Sequence, residues 1–111
     1  MDKSSDVVIV LTTLGANADA AGFARTLVEE RLAACVNILP PMSSTYRWRE
    51  GVEHDREQQL MIKTTAERLT ALEARVRELH SYEVPELLML AVSGGSAAYL
   101  QWLRESTTPL A

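Results

Sequence analysis

From Ala34 to Trp48 the sequence keeps extended character for 15 residues, broken only at Pro40-Pro41. At about 3.3 Å per residue, a straight strand of that length reaches roughly 50 Å. A globule of 111 residues has a radius of gyration of about 13 Å, so a uniform sphere of that size is about 34 Å across. This segment and its returning partner overshoot the domain unless the prolines, which cannot donate to a ladder, bend the ribbon back. An isolated two-stranded ribbon is marginal in water, and unpaired edges invite pairing. Two solutions stand open: the bend lays the ribbon on its own sheet, or a further copy of the chain supports it in a closed ring.

The flanking segments supply the rest of the domain. Val7-Val8-Ile9-Val10-Leu11 is an unbroken, β-branched apolar run and reads as a central strand covered on both faces. Gly15 and Asn17 punctuate its end, with Asn17 as N-cap. Ala20, Phe23, Ala24, Leu27, Val28 and Leu32 recur at helical spacing and predict a one-sided amphipathic helix. Ala34 to Leu39 is strand, and Ser44 to Trp48 resumes with Tyr46 and Trp48 on one face and Arg47 on the other. Glu50 to Asp55 is polar with one glycine, Gly51, and reads as the reversal before a strand over Glu57 to Thr65. Thr64-x-x-Glu67 matches a capping box. Leu69, Leu72, Val76 and Leu79 predict a second helix running to about His80. Leu87 to Val92 reads as a fully buried strand. Ser96 caps a short helix over Ala97 to Glu105, with Tyr99, Trp102 and Leu103 on one side. The order βαββαβ plus a terminal helix is the ferredoxin-like α+β pattern, with two helices on one face of a four-stranded antiparallel sheet. One domain over residues 1–111 is expected, with a short polar tail at 1–5.

Charge and cysteine usage exclude several function classes. Eleven Lys and Arg against fifteen Asp and Glu give a formal net charge of -4, scattered and without a basic run. Phosphate binding needs a positive patch, so neither nucleic acid nor an anionic membrane is an expected partner. The single cysteine, Cys35, cannot form an intrachain disulfide. The polar start lacks the apolar stretch of a secretory signal, and the runs at Val7–Leu11 and Leu87–Val92 are too short to span a bilayer. A reducing, cytoplasmic location is the expectation.

No catalytic constellation emerges. Gly94-Gly95-Ser96 lacks the lysine and leading glycine of a phosphate loop and reads as a helix start. Cys35 with His80 is a formal nucleophile pair, but an apolar strand is the usual place of a small core cysteine. His54, among Glu53, Asp55 and Glu57, reads as a solvated turn. His80, at the end of the second helix, reads as a cap favoured by the helix dipole. Tyr46, Trp48, Glu57, Lys63, Tyr82 and Glu86 mix aromatic walls with a few charges, the composition of a ligand pocket. The competing reading is a set of interface hydrogen bonds and ion pairs.

Leu32-Ala33-Ala34-Cys35-Val36-Asn37-Ile38, Tyr46-x-Trp48, Ile62-Lys63-Thr64-Thr65, His80-Ser81-Tyr82-Glu83-Val84-Pro85-Glu86-Leu87-Leu88 and Tyr99-Leu100-x-Trp102-Leu103 resemble, in order along nearly the whole chain, the CutA divalent-ion tolerance family. The resemblance implies a ferredoxin-like fold similar to the PII signalling proteins. It also implies a homotrimer joined through strand pairing, a link to tolerance of divalent cations (copper above all), and no reaction. It places Tyr46, Trp48, Lys63, Tyr82 and Glu86 near intersubunit clefts, and His80 on the motif histidine, the metal-ligand candidate. The sequence departs from the family pattern at Ser81, where a proline is usual, and at Gly51, one residue later than the usual turn glycine. Where some members are proposed to use a cysteine and a His-His pair for copper, this chain has Thr12, Leu79 and His80. Metal-responsive binding is therefore the first functional expectation. A PII-like trimer holding a small anion or a partner protein in its clefts is the alternative.

Overall fold

The computed structural model describes residue 1 and residues 6–110. Of the expected polar tail, residues 2–5 lie outside that range. The elements run β1 (Val7–Gly15), α1 (Ala20–Glu29), β2 (Cys35–Ile38), β3 (Met42–Trp48), β4 (Gly51–Thr65), a 3-10 turn (Ala66–Arg68), α2 (Leu69–Leu79), β5 (Leu88–Ala91) and α3 (Ala97–Ser106). The sheet is antiparallel in the order β2-β4-β1-β5. β3 continues the β2 edge along the same partner, β4. The α+β ferredoxin-like expectation holds.

Strand alternation divides the sheet into two faces. Val8, Val10 and Leu14 of β1 and Leu60 and Ile62 of β4 point to one side. There they form a single core with Phe23 and Leu27 of α1 and Leu72 and Val76 of α2. On the opposite side α3 packs Leu100 and Leu103 over Val7 and Ala34 at one end of the sheet. The rest of that second face is open. It carries Ile9, Leu11 and Met61, half-buried, and Leu88 and Leu90, which are 56% and 49% exposed.

β4 is the spine of the molecule. Its 15 residues pair with β1 from Glu57 to Thr65, with β2 from Leu60 to Lys63, and with β3 from Gly51 to Glu57. Residues Gly51 to Asp55 therefore have only β3 beside them, and the two strands project as a ribbon; the Arg56 carbonyl, at its root, accepts the Ala16 N–H at 3.0 Å. The longest dimension is 45 Å, against 29 and 23 Å for the other two, so the arm extends and does not fold back over its own sheet. The break at Leu39-Pro40-Pro41 interrupts β2 and β3 as expected and leaves the direction of the edge intact.

Several local expectations are corrected. The reversal is not Glu50 to Asp55. Trp48 pairs with Gly51, so Arg49 and Glu50 alone form the turn. The left-handed residue there is Arg49 (φ 57°), and Gly51 has no positive φ. Polar residues on both faces hid the start of β4, because a ribbon wet on both sides has no apolar alternation. Asn17 is not the N-cap of α1; Asp19 accepts the Gly22 N–H at 3.0 Å. α1 stops at Glu29 and does not reach Leu32, because Arg31 turns left-handed (φ 61°). The Leu32 N–H then bonds the Leu27 carbonyl and the Arg31 N–H bonds that of Val28, a Schellman closure with arginine in the usual glycine position. The Thr64–Glu67 capping box does not form, since Thr64 points into the core and its Oγ1 has no partner among the described residues. β5 is not a fully buried strand but an exposed edge. On α3, Tyr99 and Trp102 stand exposed beside each other, 5.4 Å between rings, while Leu100 and Leu103 are buried. Ser96 caps α3 as expected.

Candidate functional site

The arm and the loop between α2 and β5 enclose a cleft of about 600 Å³, within the usual range of small-ligand sites. The even-numbered residues of β3 from Met42 to Trp48 pair with the odd-numbered residues of β4 from Gly51 to Glu57 and share a face with them. That register brings Tyr46, Trp48, Asp55 and Glu57 to the cleft. The loop contributes Tyr82, Glu83 and Glu86 from the other side. Of the six residues expected to form a site, Tyr46, Trp48, Glu57, Tyr82 and Glu86 converge here within one chain. Lys63 does not: it lies six residues along β4 from Glu57, about 20 Å at strand rise, opposite Ile9 and Cys35.

The hydrogen bonds inside the cleft run from phenol to carboxylate. The Tyr82 hydroxyl donates to Glu57 Oε2 at 2.9 Å, and the Tyr46 hydroxyl donates to Asp55. Burial of Tyr82, followed by its bond to Glu57, pushes its phenol up to about 12. Tyr46 is pushed up to about 12 mainly by the bond to Asp55. Both phenols thus keep their protons, and the carboxylates keep their donors, through the neutral range. Gln59 links the walls, donating to the Thr12 carbonyl at 2.7 Å and to Glu86 at 3.0 Å. At the mouth Arg49 pairs with Glu83 at 3.4 Å and sits 5.5 Å from the Trp48 ring centre. Among the described residues, four carboxylates, Asp55, Glu57, Glu83 and Glu86, line the cleft, and no lysine or arginine does.

His80 closes the base of the loop. It is 9% exposed and follows the last turn of α2. Its Nε2 lies 2.6 Å from the Thr13 carbonyl oxygen, which can only accept, so Nε2 carries the proton. Nδ1 then accepts the Tyr82 backbone N–H at 3.1 Å. The ring packs 4.6 Å from Tyr82, tilted, and meets Phe23 edge-on at 6.4 Å. Neither nitrogen has a lone pair left for a metal. As placed, His80 does not fit the role of copper ligand; it anchors the loop that presents Tyr82. Thr12 and Leu79 supply no soft donor, and among the described residues no group of three or more His, Cys, Asp or Glu side chains can hold a metal ion.

The other candidates separate. Cys35 is half-buried and its thiol faces Asn37 at 3.8 Å, whereas His80 bonds Thr13 and Tyr82, so the two are not a pair. His54 faces Thr45 across the ribbon at 3.0 Å and does not itself line the cleft. Sequence reasoning missed Asp55, assigned to a turn. The signal was present: Glu53, Asp55 and Glu57 alternate, and one face of a strand would carry all three. Among the described residues no helix is long and apolar enough to cross a membrane.

Comparison with known proteins gives a consistent result. The model of the CutA1 divalent ion tolerance protein family matches residues 8–106. The divalent-cation tolerance protein CutA of Thermus thermophilus is 48% identical over 99 residues, covering 89% of this chain and 96% of that protein. The chloroplastic protein CutA of Arabidopsis thaliana is 41% identical over 110 residues, 96% of this chain and 60% of that protein. The solved structure of the divalent cation tolerance protein from Thermus thermophilus superposes with a TM-score of 0.88 at 46% identity, covering 92% of this chain and 99% of that one. With the family model spanning both helical layers, the arm and the cleft, the chain belongs to the CutA1 divalent ion tolerance family.

Proposed function

We propose that the chain serves divalent-cation tolerance as a homotrimeric binding protein, without catalysis, assembled through the open face of its sheet. One observation carries this reading: Ile9, Leu11, Met61, Leu88 and Leu90 make a contiguous apolar surface on that face, next to an arm with one neighbour strand. Large side chains left in water along a sheet face and an unpaired edge mark an association surface. The count of three comes from the family resemblance. The lone Cys35 supports a reducing compartment such as the cytoplasm. The acidic lining of the cleft does not favour the alternative of a small anion bound there. Copper is the cation the resemblance implies, and His80 is not our choice of ligand for it.

Size-exclusion chromatography with light scattering tests the assembly. The expected mass is three times the 12.3 kDa chain, and a monomer at micromolar concentration overturns the reading. Calorimetric titration with Cu(I) and Cu(II) tests the metal. Wild type and His80→Ala are expected to give the same isotherm. The variant unfolds more easily, by about 1–3 kcal/mol, because the Thr13 carbonyl and Tyr82 N–H lose their partner. Loss of copper binding in His80→Ala overturns the structural role given to the ring.

A further inference from the structure

Glu57 is 7% exposed, lines the cleft, and accepts from Tyr82 through Oε2; its other oxygen has no protein partner among the described residues and opens to the solvent of the cleft. Four carboxylates facing one cleft, with Glu57 largely buried, favour a positive group among them. The described residues supply none here: no lysine or arginine lines the cleft, and Arg49 at its mouth is engaged with Glu83. A bare metal ion is a poor answer, since the described carboxylates do not gather into a ligand set. Their spread suits a larger cation. The walls on either side are Tyr46, Trp48 and Tyr82, and the negative faces of such rings attract cations. Trp48 already has the guanidinium of Arg49 5.5 Å from its ring centre.

We propose that the cleft binds an organic cation with N–H donors, an amine or a guanidinium, whose charge meets the free oxygen of Glu57 and whose body lies against Tyr46 and Trp48. The N–H requirement follows from the one Glu57 oxygen left open to the cleft, a carboxylate acceptor best filled by a charged N–H donor. The size follows from the cleft, about 600 Å³, which leaves room for a ligand several times the volume of a water.

The test uses the full chain carrying Trp102→Phe, so that Trp48 is the one remaining tryptophan. Agmatine is titrated at constant ionic strength, with tetramethylammonium as the cation that has no N–H. Agmatine is expected to change Trp48 fluorescence saturably and tetramethylammonium to bind much more weakly. Glu57→Gln keeps an oxygen for Tyr82 and removes the charge; it is expected to weaken agmatine about tenfold or more. Asp55→Asn, on the exposed arm, is expected to weaken it about threefold and serves if Glu57→Gln does not fold. Three results overturn the proposal: no saturable change up to roughly 10 mM agmatine, equal binding by tetramethylammonium, or unchanged affinity in the charge-removing variants. A cleft filled by a neighbouring chain gives the first of these.

Discussion

The two halves of β4 share one strand and have little else in common. From Glu57 to Thr65 it lies between β1 and the β2 edge, with Leu60 and Ile62 fully buried beneath the helices. From Gly51 to Arg56 its one partner strand is β3, with a single further backbone bond from Ala16 to Arg56, and all six residues are exposed. The first half is held by burial. The second is held by a ladder and by cross-strand pairs, each worth only about 0.2–1 kcal/mol. The difference separates what folds the chain from what the chain displays, since the cleft residues Asp55, Tyr46 and Trp48 all stand on the arm.

Substitution in each half is the strongest way to break this contrast. Ile62→Ala deletes a fully buried side chain beside Val10 and is expected to cost about 2–5 kcal/mol in denaturant unfolding. Val52→Ala, at a position 57% exposed, is expected to stay within about 0.5 kcal/mol for the chain by itself. A larger loss at Val52, growing with protein concentration, means that another chain covers the arm. The contrast would then belong to the isolated chain and not to the assembly.

The same division governs the two tyrosines of the cleft. Tyr82 sits on a loop anchored by His80 and donates to the buried Glu57; Tyr46 sits on the arm and donates to the exposed Asp55. Tyr82→Phe strips Glu57 of its donor and is expected to cost about 1–3 kcal/mol, whereas Tyr46→Phe loses an exposed bond and is expected to cost less. Both phenols are raised above their ordinary value of 10.0, to about 12. The folded state therefore holds the phenolic protons more tightly than the unfolded chain does. Their contribution is fully present below pH 10 and is lost as the pH rises toward 12. Thermal melts across that window are expected to slope downward, and more gently in Tyr82→Phe. An unchanged slope removes Tyr82 from the linkage.

How much of this was legible in sequence follows the same line. β1, with its run of β-branched residues, and the buried stripes of α1 and α2 were readable because burial writes a period into the sequence. The clustering of Tyr46, Trp48, Glu57, Tyr82 and Glu86 was readable as composition, though not as geometry. Within one chain Lys63 lies apart from the others because register, and not residue type, places it about 20 Å from Glu57. Gly51 to Arg56 was missed because a ribbon exposed on both faces carries no apolar period, only the acidic alternation of Glu53, Asp55 and Glu57. β5 looked buried for the opposite reason: Leu88 to Leu90 is a continuous apolar run, yet it lies on the exposed edge of the sheet. His80 read as a cap or a ligand, and the bond to Thr13, 67 positions away, could not be found locally.

The smallest effect expected lies at the tip of the arm, where Arg49 holds the left-handed conformation and Gly51 does not. A side chain with a Cβ pays up to about 1–2 kcal/mol in that region, and asparagine pays less. Arg49→Asn therefore relieves strain while giving up an exposed ion pair with Glu83 and the contact with Trp48. The pair is screened by solvent and worth at most about 1 kcal/mol. The two changes nearly cancel, and a gain of about 0.5 kcal/mol or less is expected by chemical denaturation. Gly51→Ala meets nothing within 4 Å of the new methyl group and needs no special φ. Replacing a freer unfolded residue should likewise stabilise it slightly. If Gly51→Ala instead costs more than about 1 kcal/mol, a neighbouring chain packs against the tip, and the arm is buried in the assembly along its whole length.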